Sequence, residues 1–419
     1  MKRYILILLF IGMNIHASEE LRQKAIKQGL MSIPKDYPAL IKRLDTNENI
    51  LSKQKIALGK RLFYEKRLSL NADISCATCH DIKKGGADGL ETAVGYKNRK
   101  NPSNINTPTV FNTALSKKYF WDGSESTLYA QAKGPIIASF EMASSPTLIE
   151  ERLNKIDEYK EDFLNVYGTT RISFDKVLDA ISGYEKTLLT RGRFDEFLEG
   201  DIHVLNDEEK KGLELFLDKG CVTCHNGVNL GGQDMRKFPL VRHAFWSYKE
   251  FKPIQNYKKI KKVYDDFLSV EDCSKELYET KERMLKDKLG TKMVEIIKKG
   301  FFEQFENKDA YEIMSSKGCY YCHDKKRFRV PGDQLKNVAF PFKNTGMSLG
   351  DRDRSRTFRT PLLRNTASTK PYFHNGNVKL LDDVIKIMYE HQLRIKPDKE
   401  EIGYIVKFLK SVDGEPVKY

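Results

Sequence analysis

The sequence predicts a mainly α-helical protein. Apolar residues recur at helical spacing along most of the chain, whereas the alternating pattern of strands is sparse. The clearest helices are predicted over Asp207–Asp218, closed by Gly220, and over Leu380–His391, and several more over residues 146–200. A length of 419 residues suits two or three domains of ordinary size.

The first residues have the pattern of a secretory signal. Lys2 and Arg3 precede an apolar run, and Ala17 offers a small residue for cleavage before Ser18. The run is too short to span a bilayer comfortably. We therefore expect residues 1–17 to be a signal peptide and the mature protein to act in the periplasm.

The chain is strongly basic, with a formal net charge of +14 that falls to +12 (14 − 2) once Lys2 and Arg3 are removed. Such a charge suits nucleic acid, an anionic membrane or an acidic protein. Export argues against nucleic acid. Lys258–Lys262, with four lysines in five residues, is most simply a solvated face, and docking of an acidic electron donor is the alternative.

Six of the seven cysteines form Cys-x-x-Cys pairs, and a histidine follows each pair directly. The three sites are Cys76, Cys79 and His80; Cys221, Cys224 and His225; and Cys319, Cys322 and His323. Disulfides would explain the cysteines but not the histidines. This is the pattern of covalent haem attachment, in which the cysteines form thioethers and the histidine ligates the iron. The sequence predicts three haems c, with Cys273 as a free thiol.

The segments between these sites differ in character. Residues 40–75 have a mostly helical pattern that leads into the first site. Lys83–Asn106, rich in Gly, Lys and Asn, predicts a long loop across the first haem. A short helix over Thr127–Lys133 is expected to end in a turn at Gly134–Pro135. Residues 236–335 are dense in Lys, Tyr and Phe and form a separate compositional region.

Short motifs surround the first two sites. They are Leu58–Phe63, Gly85–Gly89, Thr107–Asn112, Phe120–Gly123, Gln131–Pro135, Asn226–Gly232, Thr360–Asn365 and Thr369–His374. In these motifs the chain resembles the bacterial dihaem cytochrome c peroxidases and the related MauG-like enzymes. The resemblance covers most of the mature chain. It implies tandem cytochrome c-like haem domains and reduction of hydrogen peroxide to water.

The resemblance also implies a role for each of these haems. The N-terminal haem, with His80 as proximal ligand, reacts with peroxide, and the haem of His225 relays electrons to it. Glu141 matches the family's distal acid/base, and a carboxylate there can move a proton between the peroxide oxygens. Gln131 lies on the same side and orients peroxide. Trp121 matches the tryptophan between the haems.

The second haem is expected to take an axial methionine. Met388 falls where the family supplies it, and Leu381, Val384 and Ile385 share its helical face at i, i+3, i+4 and i+7 spacing. Methionine ligation would hold a relatively high potential, as a relay needs. A core methionine is the plainer interpretation, and His391 is a rival ligand.

The resemblance further implies a calcium ion between the domains, bound by Asn106, Thr369 and Pro371. Oxygen ligands, backbone carbonyls included, are what calcium takes. His374 belongs to the same family motif, with a structural or electrostatic role.

The sequence departs from the family at the distal side of the first haem. Many members carry a histidine there, whereas Tyr96 takes the aligned position and no histidine lies between His80 and His203. We expect an iron that is five-coordinate at rest or weakly held by Tyr96, so that activation by reduction is unnecessary.

A second departure is an insertion of roughly 90 to 100 residues, far beyond an ordinary loop. It carries the site of His323, and we interpret it as an added monohaem module that feeds electrons inward. Candidate sixth ligands of its iron are Met347, His243, Met314 and Met293. The predicted domains are residues 1–17 (signal peptide), 18–190 (peroxidatic haem), 191–235 with 336–419 (electron-transfer haem) and 236–335 (inserted module).

The function that this sequence favours is a trihaem cytochrome c peroxidase fed by a small cytochrome or another periplasmic donor. MauG-like oxidation of a partner protein is a second enzymatic hypothesis, which retention of Met388 disfavours. A multihaem electron carrier without peroxide chemistry is a third. A homodimer is one assembly compatible with the sequence.

Overall fold

A computed structural model describes residues 2–36, 44, 51–238 and 357–417, except 394 and 397. These residues belong to one compact unit, which runs over Met1–Phe238 and Ser348–Tyr419. The third Cys-x-x-Cys-His site, Cys273, Lys258–Lys262 and all four candidate ligands of the third haem lie outside the described residues. So does nearly all of the predicted inserted module.

The described part of the chain is mainly helical, as the sequence predicts. In chain order the helices are α1 (Lys2–Lys27), α2 (Lys53–Phe63), α3 (Cys76–Cys79), α4 (Leu128–Ile137), α5 (Pro146–Leu153), α6 (Asp157–Tyr167), α7 (Phe174–Glu185), α8 (Arg193–Leu198), α9 (Asp207–Asp218), α10 (Leu381–Met388) and α11 (Lys399–Val412). A π-helical turn, Tyr389–Leu393, continues α10. None of these helices combines the length and the apolar character that a bilayer crossing requires.

The strands are short and form three antiparallel pairs among the described residues. They are β1 (Val94–Gly95) with β2 (Arg99–Lys100), β3 (Thr190–Gly192) with β6 (Gly414–Pro416), and β4 (Met235–Lys237) with β5 (Thr357–Arg359). The first pair lies inside the predicted Lys83–Asn106 loop. The other two join segments that are far apart in sequence.

Two crossed helix pairs organise the core. α2 packs on α7, and a Cβ added to Gly59 would lie 1.9 Å from the carbonyl oxygen of Ala180. α9 packs on α11, and a Cβ on Gly212 would lie 2.0 Å from the carbonyl oxygen of Tyr404. Glycine alone permits such an approach. Each pair includes the helix that precedes one haem motif: α9 ends at Asp218, shortly before Cys221, whereas α2 ends at Phe63, well before Cys76.

An internal repeat relates the segments downstream of the two motifs. Residues 106–123 and 359–376 align without a gap and share Thr-Pro, Asn-Thr-Ala, Tyr-Phe and a final Gly. Asn112 and Asn365 have φ angles of 60° and 61°, and Phe120 and Phe373 have φ angles of 58° and 65°. The same unusual backbone conformation therefore recurs at the same places in both copies.

The two copies of the repeat exchange equivalent hydrogen bonds. The backbone N–H of Asn106 donates to the carbonyl oxygen of His374 at 2.8 Å. Its counterpart in the second copy, Arg359, donates in the same way to the carbonyl oxygen of Trp121 at 2.8 Å. Since Trp121 and His374 are themselves counterparts, the repeat places one matched pair of residues against the other.

Helix α4 differs from the sequence prediction. It spans Leu128–Ile137 and continues through Gly134 and Pro135, where a turn was expected. Packing explains the difference: Ile136 is 1% exposed, and the ring of Phe120 packs so closely on Gly134 that a Cβ would lie 3.0 Å from its Cζ. This burial outweighs the hydrogen bond that proline removes.

Other predicted elements are confirmed or shortened. Asp207–Asp218 is helical as predicted, ends next to Gly220 at φ 85°, and residues 146–200 contain α5 to α8. The predicted helix over Leu380–His391 is observed as α10 and its π-helical continuation. Residues 40–75 are helical only in part, because α2 and one 3-10 turn, Lys66–Leu68, are followed by non-helical chain up to the first motif.

The segment after the predicted signal peptide contacts the second haem region. Lys24 Nζ pairs with Asp218 at 2.5 Å, and the backbone N–H of Ile33 donates to Asp195 at 2.7 Å. The sequence-based domain boundaries stay a prediction, but residues 18–36 share contacts with the elements between 193 and 218.

Candidate functional site

The first cysteine pair lies on a single helical turn. Cys76 and Cys79 begin and end α3, and His80 caps it. His80 Nδ1 lies 3.2 Å from the carbonyl oxygen of Gly86. A carbonyl oxygen only accepts, so Nδ1 carries the proton and Nε2 keeps its lone pair. That is the tautomer and orientation that an iron ligand needs.

The second pair repeats this arrangement. Cys221–Thr223 forms a 3-10 turn, and Cys224 and His225 follow it. His225 Nδ1 lies 3.2 Å from the carbonyl oxygen of Leu230. Burial lowers the pKa of His225 to about 4, which keeps the imidazole neutral. Both histidines therefore present Nε2 as the free ligating atom.

The cysteine thiols of the two described motifs are not paired with one another. The four cysteines of the described motifs form no disulfide and are half-buried. Burial raises the pKa of Cys79 and of Cys221 to about 12, so these thiols are neutral and poorly reactive towards oxidants. A disulfide-based redox role is therefore disfavoured.

A largely apolar cavity opens beside the second motif. Cys221, Cys224 and His225 line it together with Met388. Its apolar wall contains Phe216, Leu362, Leu363, Leu381, Val384, Ile385, Ile405 and Leu409. An apolar wall, two cysteines and a neutral imidazole suit an iron porphyrin, and these residues fit haem c.

Helix α10 presents the predicted apolar face to this cavity. All four residues on that face, Leu381, Val384, Ile385 and Met388, line it. The rival ligand His391 is buried, lies outside the lining and has Nε2 3.8 Å from the carboxylate of Glu390. The geometry favours Met388 as the second ligand, and the ligation itself stays a prediction.

Glu141 lies against the loop that contains Tyr96. The Tyr96 backbone N–H donates to the Glu141 carbonyl oxygen at 2.7 Å, and Asn101 Nδ2 donates to Glu141 Oε1 at 3.3 Å. A Cβ on Gly95 would lie 2.6 Å from the Glu141 Cα, so the loop and Glu141 are in direct contact. Burial raises the pKa of Glu141, and the Asn101 hydrogen bond lowers it by a smaller amount.

The loop that contacts Glu141 also contacts the first motif. The sulfur of Cys79 lies 3.9 Å from the carbonyl oxygen of Val94, which directly precedes Gly95 and Tyr96. One short loop therefore contacts both Glu141 and Cys79. Gln131 is half-buried on α4 and makes no hydrogen bond to Glu141 within the described residues, so its predicted role stays untested.

Trp121 lies in the contact between the two repeat copies. Its indole Nε1 donates to the Asn106 carbonyl oxygen at 3.0 Å, and its ring meets the ring of His374 edge to face. Both residues line the cavity of His225. Trp121 therefore lines the second haem site, and its position between the two haems stays a prediction.

The predicted calcium ligands converge on the same cavity. Asn106, Thr369 and Pro371 all line it. Asn106 is 6% exposed, and its Nδ2 donates to the Leu90 carbonyl oxygen at 2.7 Å, which leaves Oδ1 as its available side-chain ligand. Within the described residues no cluster of His, Cys, Asp or Glu suits a metal ion. The predicted calcium ligands are therefore neutral oxygen atoms, and calcium binding stays a prediction.

Sequence reasoning missed three buried groups near these sites: Asn101, Glu185 and Arg359. Asn101 holds Glu141, and Glu185 is 6% exposed with Oε2 unpaired among the described groups. Arg359 lines the cavity beside Trp121. The internal repeat would have singled out Arg359, because a charged residue stands there in place of Asn106. No sequence signal marks the other two.

Comparison with known proteins gives a consistent result. Residues 53–203 match the family model described as di-haem cytochrome c peroxidase. Cytochrome c551 peroxidase of Pseudomonas aeruginosa is 34% identical over 87% of this chain and 80% of its own length. Cytochrome c551 peroxidase of Nitrosomonas europaea is 31% identical over 85% of this chain and 79% of its own length. A crystal structure of a MauG-like protein associated with microbial copper homeostasis has the same fold, with a TM-score of 0.59 and 22% sequence identity. The match covers 88% of this chain and 92% of that protein.

Proposed function

The chain belongs to the di-haem cytochrome c peroxidase family, and we propose that it reduces hydrogen peroxide to water with electrons relayed through covalently bound haems. The reaction consumes one peroxide, two electrons and two protons and releases two water molecules. When bound, the haem supplies an iron that takes up peroxide and passes on electrons. The surrounding residues must then orient peroxide, move protons and set the electron route.

The observation that carries this proposal is the half-buried Glu141, which packs against Gly95 and Tyr96 in the loop that follows the first haem motif. Burial raises its pKa above that of an exposed glutamate, and a carboxyl group can act as a general acid or base. Asn101 fixes Oε1 at 3.3 Å, which leaves Oε2 to face peroxide. In our proposal Glu141 takes a proton from one peroxide oxygen and returns it to the departing one, while Gln131 orients the substrate.

Tyr96 is proposed to lie over the same face of the first haem. Its backbone hydrogen bond to Glu141 ties the two residues together. Because the tyrosine phenol is a weaker ligand than a histidine imidazole, we propose that peroxide reaches this iron without prior reduction of the protein.

Electron supply is proposed to run from the haem of His225 and Met388 through Trp121. Trp121 lines that cavity, and its hydrogen bond to Asn106 fixes the indole. A third haem at Cys319, Cys322 and His323 would extend the path to a small cytochrome or another periplasmic donor. A calcium ion on Asn106, Thr369 and Pro371 would tie the two repeat copies together at the same place.

The test is peroxide-dependent oxidation of a reduced small cytochrome c by the purified holoprotein. We expect two cytochromes to be oxidised for each peroxide consumed, and loss of this turnover in Glu141→Gln. Glu151→Gln, an exposed glutamate on α5, is the matched control. Peroxide consumption without cytochrome oxidation would contradict the proposal and favour oxidation of a partner protein.

A further inference from the structure

Arg359 is a buried cation without an acidic partner in the part of the chain that the structure describes. Its side chain is 5% exposed, and its Nε donates to the Phe120 carbonyl oxygen at 3.0 Å. That carbonyl carries no charge to balance the guanidinium. Burial lowers the pKa of Arg359 to about 10, so the group remains positive near neutral pH. A buried charge of this kind is costly unless an opposite charge meets it.

The missing countercharge can be supplied by the occupant of the cavity. Arg359 lines the same cavity as Cys221, Cys224 and His225. A haem attached there brings two propionate carboxylates on an otherwise apolar ring. Guanidinium and carboxylate match in charge and in hydrogen-bond geometry. The other arginine of the lining, Arg236, is exposed and already pairs with Asp234 at 2.8 Å.

We propose that Arg359 binds a propionate carboxylate of the haem attached at Cys221 and Cys224, and that its fixed positive charge raises the reduction potential of that haem. The inference rests on the haem site of the proposed function and not on the peroxide chemistry.

The internal repeat shows that the two copies differ in charge at this position. Arg359 and Asn106 occupy equivalent positions, and each donates its backbone N–H across to the other copy at 2.8 Å. The backbone of Arg359 is therefore held against Trp121, and that of Asn106 against His374. The first copy has a neutral amide where the second has a cation. The cavity of His225 therefore receives a neutral amide from one copy of the repeat and a cation from the other.

The experiment compares Arg359→Gln, Arg359→Lys and the control Arg236→Gln in the holoprotein. Redox titration gives the midpoint potential of every haem, and resonance Raman spectroscopy reports the propionate bending modes. We expect Arg359→Gln to lower one potential by at least a tenfold change in its reduction equilibrium, about 59 mV for one electron. Arg359→Lys should keep the potential close to that of wild type, because lysine retains the positive charge. It should still shift the frequency of a propionate bending mode, because lysine lacks the two-pronged hydrogen-bond geometry of the guanidinium.

Unchanged potentials in Arg359→Gln would overturn the proposal, and so would an equal shift in Arg236→Gln. If Arg359→Gln fails to fold or to take up haem, Arg359→Lys decides: an undisturbed propionate mode would overturn the inference. A wild-type protein that does not reduce peroxide would defeat the proposed function alone, since the shift in potential is measured without peroxide.

Discussion

The indole of Trp121 meets the imidazole of His374 edge to face, with 6.3 Å between the ring centroids. The two rings are counterparts in the internal repeat, so this contact joins the two halves at equivalent positions. Two hydrogen bonds support this contact. The backbone carbonyl oxygen of Asn106 accepts from the indole N–H of Trp121, and the backbone N–H of Asn106 donates to the carbonyl oxygen of His374. Trp121, the proposed link between the two haem sites, is therefore held by both a ring contact and a hydrogen bond.

Trp121→Phe should slow electron delivery without affecting peroxide capture. The substitution keeps an aromatic ring but removes the N–H that donates to Asn106 at 3.0 Å. We expect peroxide turnover to fall roughly tenfold, about 1.4 kcal/mol of barrier. Stopped-flow spectroscopy separates the two steps. Tyr129→Phe, on the surface of α4, is the control, and a slower peroxide-binding phase in Trp121→Phe would contradict this assignment.

The Glu141→Gln variant should lose proton transfer at this position, because glutamine has nearly the size of glutamate but no ionisable carboxyl group. General acid–base groups contribute roughly 100- to 10,000-fold to rate, and we expect turnover to fall within this range. The measurement is steady-state peroxide reduction with reduced cytochrome c, with Glu151→Gln as control. Activity within a factor of about three of wild type would remove Glu141 from the proposed mechanism.

Asn101→Ala should shift the pH dependence of the reaction. Asn101 lowers the pKa of Glu141 by donating to Oε1, against burial that raises it. Removing this donor leaves burial unopposed and raises the pKa further. If ionised Glu141 accepts the proton, the acidic limb of kcat/KM against pH moves to higher pH. A limb that stays in place or moves to lower pH would show that Glu141 is not the titrating group.

The sequence predicted the local turns of the two described haem motifs because their geometry is set by residues adjacent in the chain. A Cys-x-x-Cys-His run fits a single turn of chain, and the structure forms such turns at Cys76 and Cys221. Met388 was predicted from the family resemblance. Helical periodicity predicted that Leu381, Val384 and Ile385 share its face, and all four residues line the same cavity. Long-range pairing could not be predicted: the Arg359 contact with Phe120 and the Arg364 pair with Asp195 join residues more than 150 positions apart. The turn expected at Gly134–Pro135 was wrong because tertiary packing of Phe120 overrode local propensity.

Arg364 and Asp195 form a fully buried ion pair, with 0% exposure on both sides and N–O distances of 2.8 and 2.7 Å. Arg364→Met should destabilise the protein by about 3–5 kcal/mol, because Asp195 is left as an unpaired buried charge. Asp195→Asn/Arg364→Met should recover part of this loss. Denaturant unfolding measures both. A double variant less stable than Arg364→Met would show that the charge itself is not the cause.

Glu185→Gln should alter how stability depends on pH. Burial raises the pKa of Glu185 from 4.5 to about 8, so the folded state holds a proton that the unfolded state releases. Wild-type stability is therefore lost as pH rises from about 4.5 towards 8, by an amount on the order of 4 kcal/mol. Glutamine does not ionise, so the stability of the variant relative to that of wild type should increase as pH rises across this window. Parallel pH curves for the two proteins would contradict the assignment, and Glu151→Gln serves as the exposed control.

The central claim is that the iron of the His80 haem can take up peroxide while the haem of His225 stays closed and relays electrons. Visible and EPR spectra at each stage of reduction, with and without peroxide, test this directly. We expect a high-spin signal from one haem, already present before reduction and abolished by peroxide, beside a low-spin haem that peroxide leaves unchanged. If every haem is low-spin at every stage of reduction and peroxide leaves the spectra unchanged, the claim is contradicted and the protein is an electron carrier.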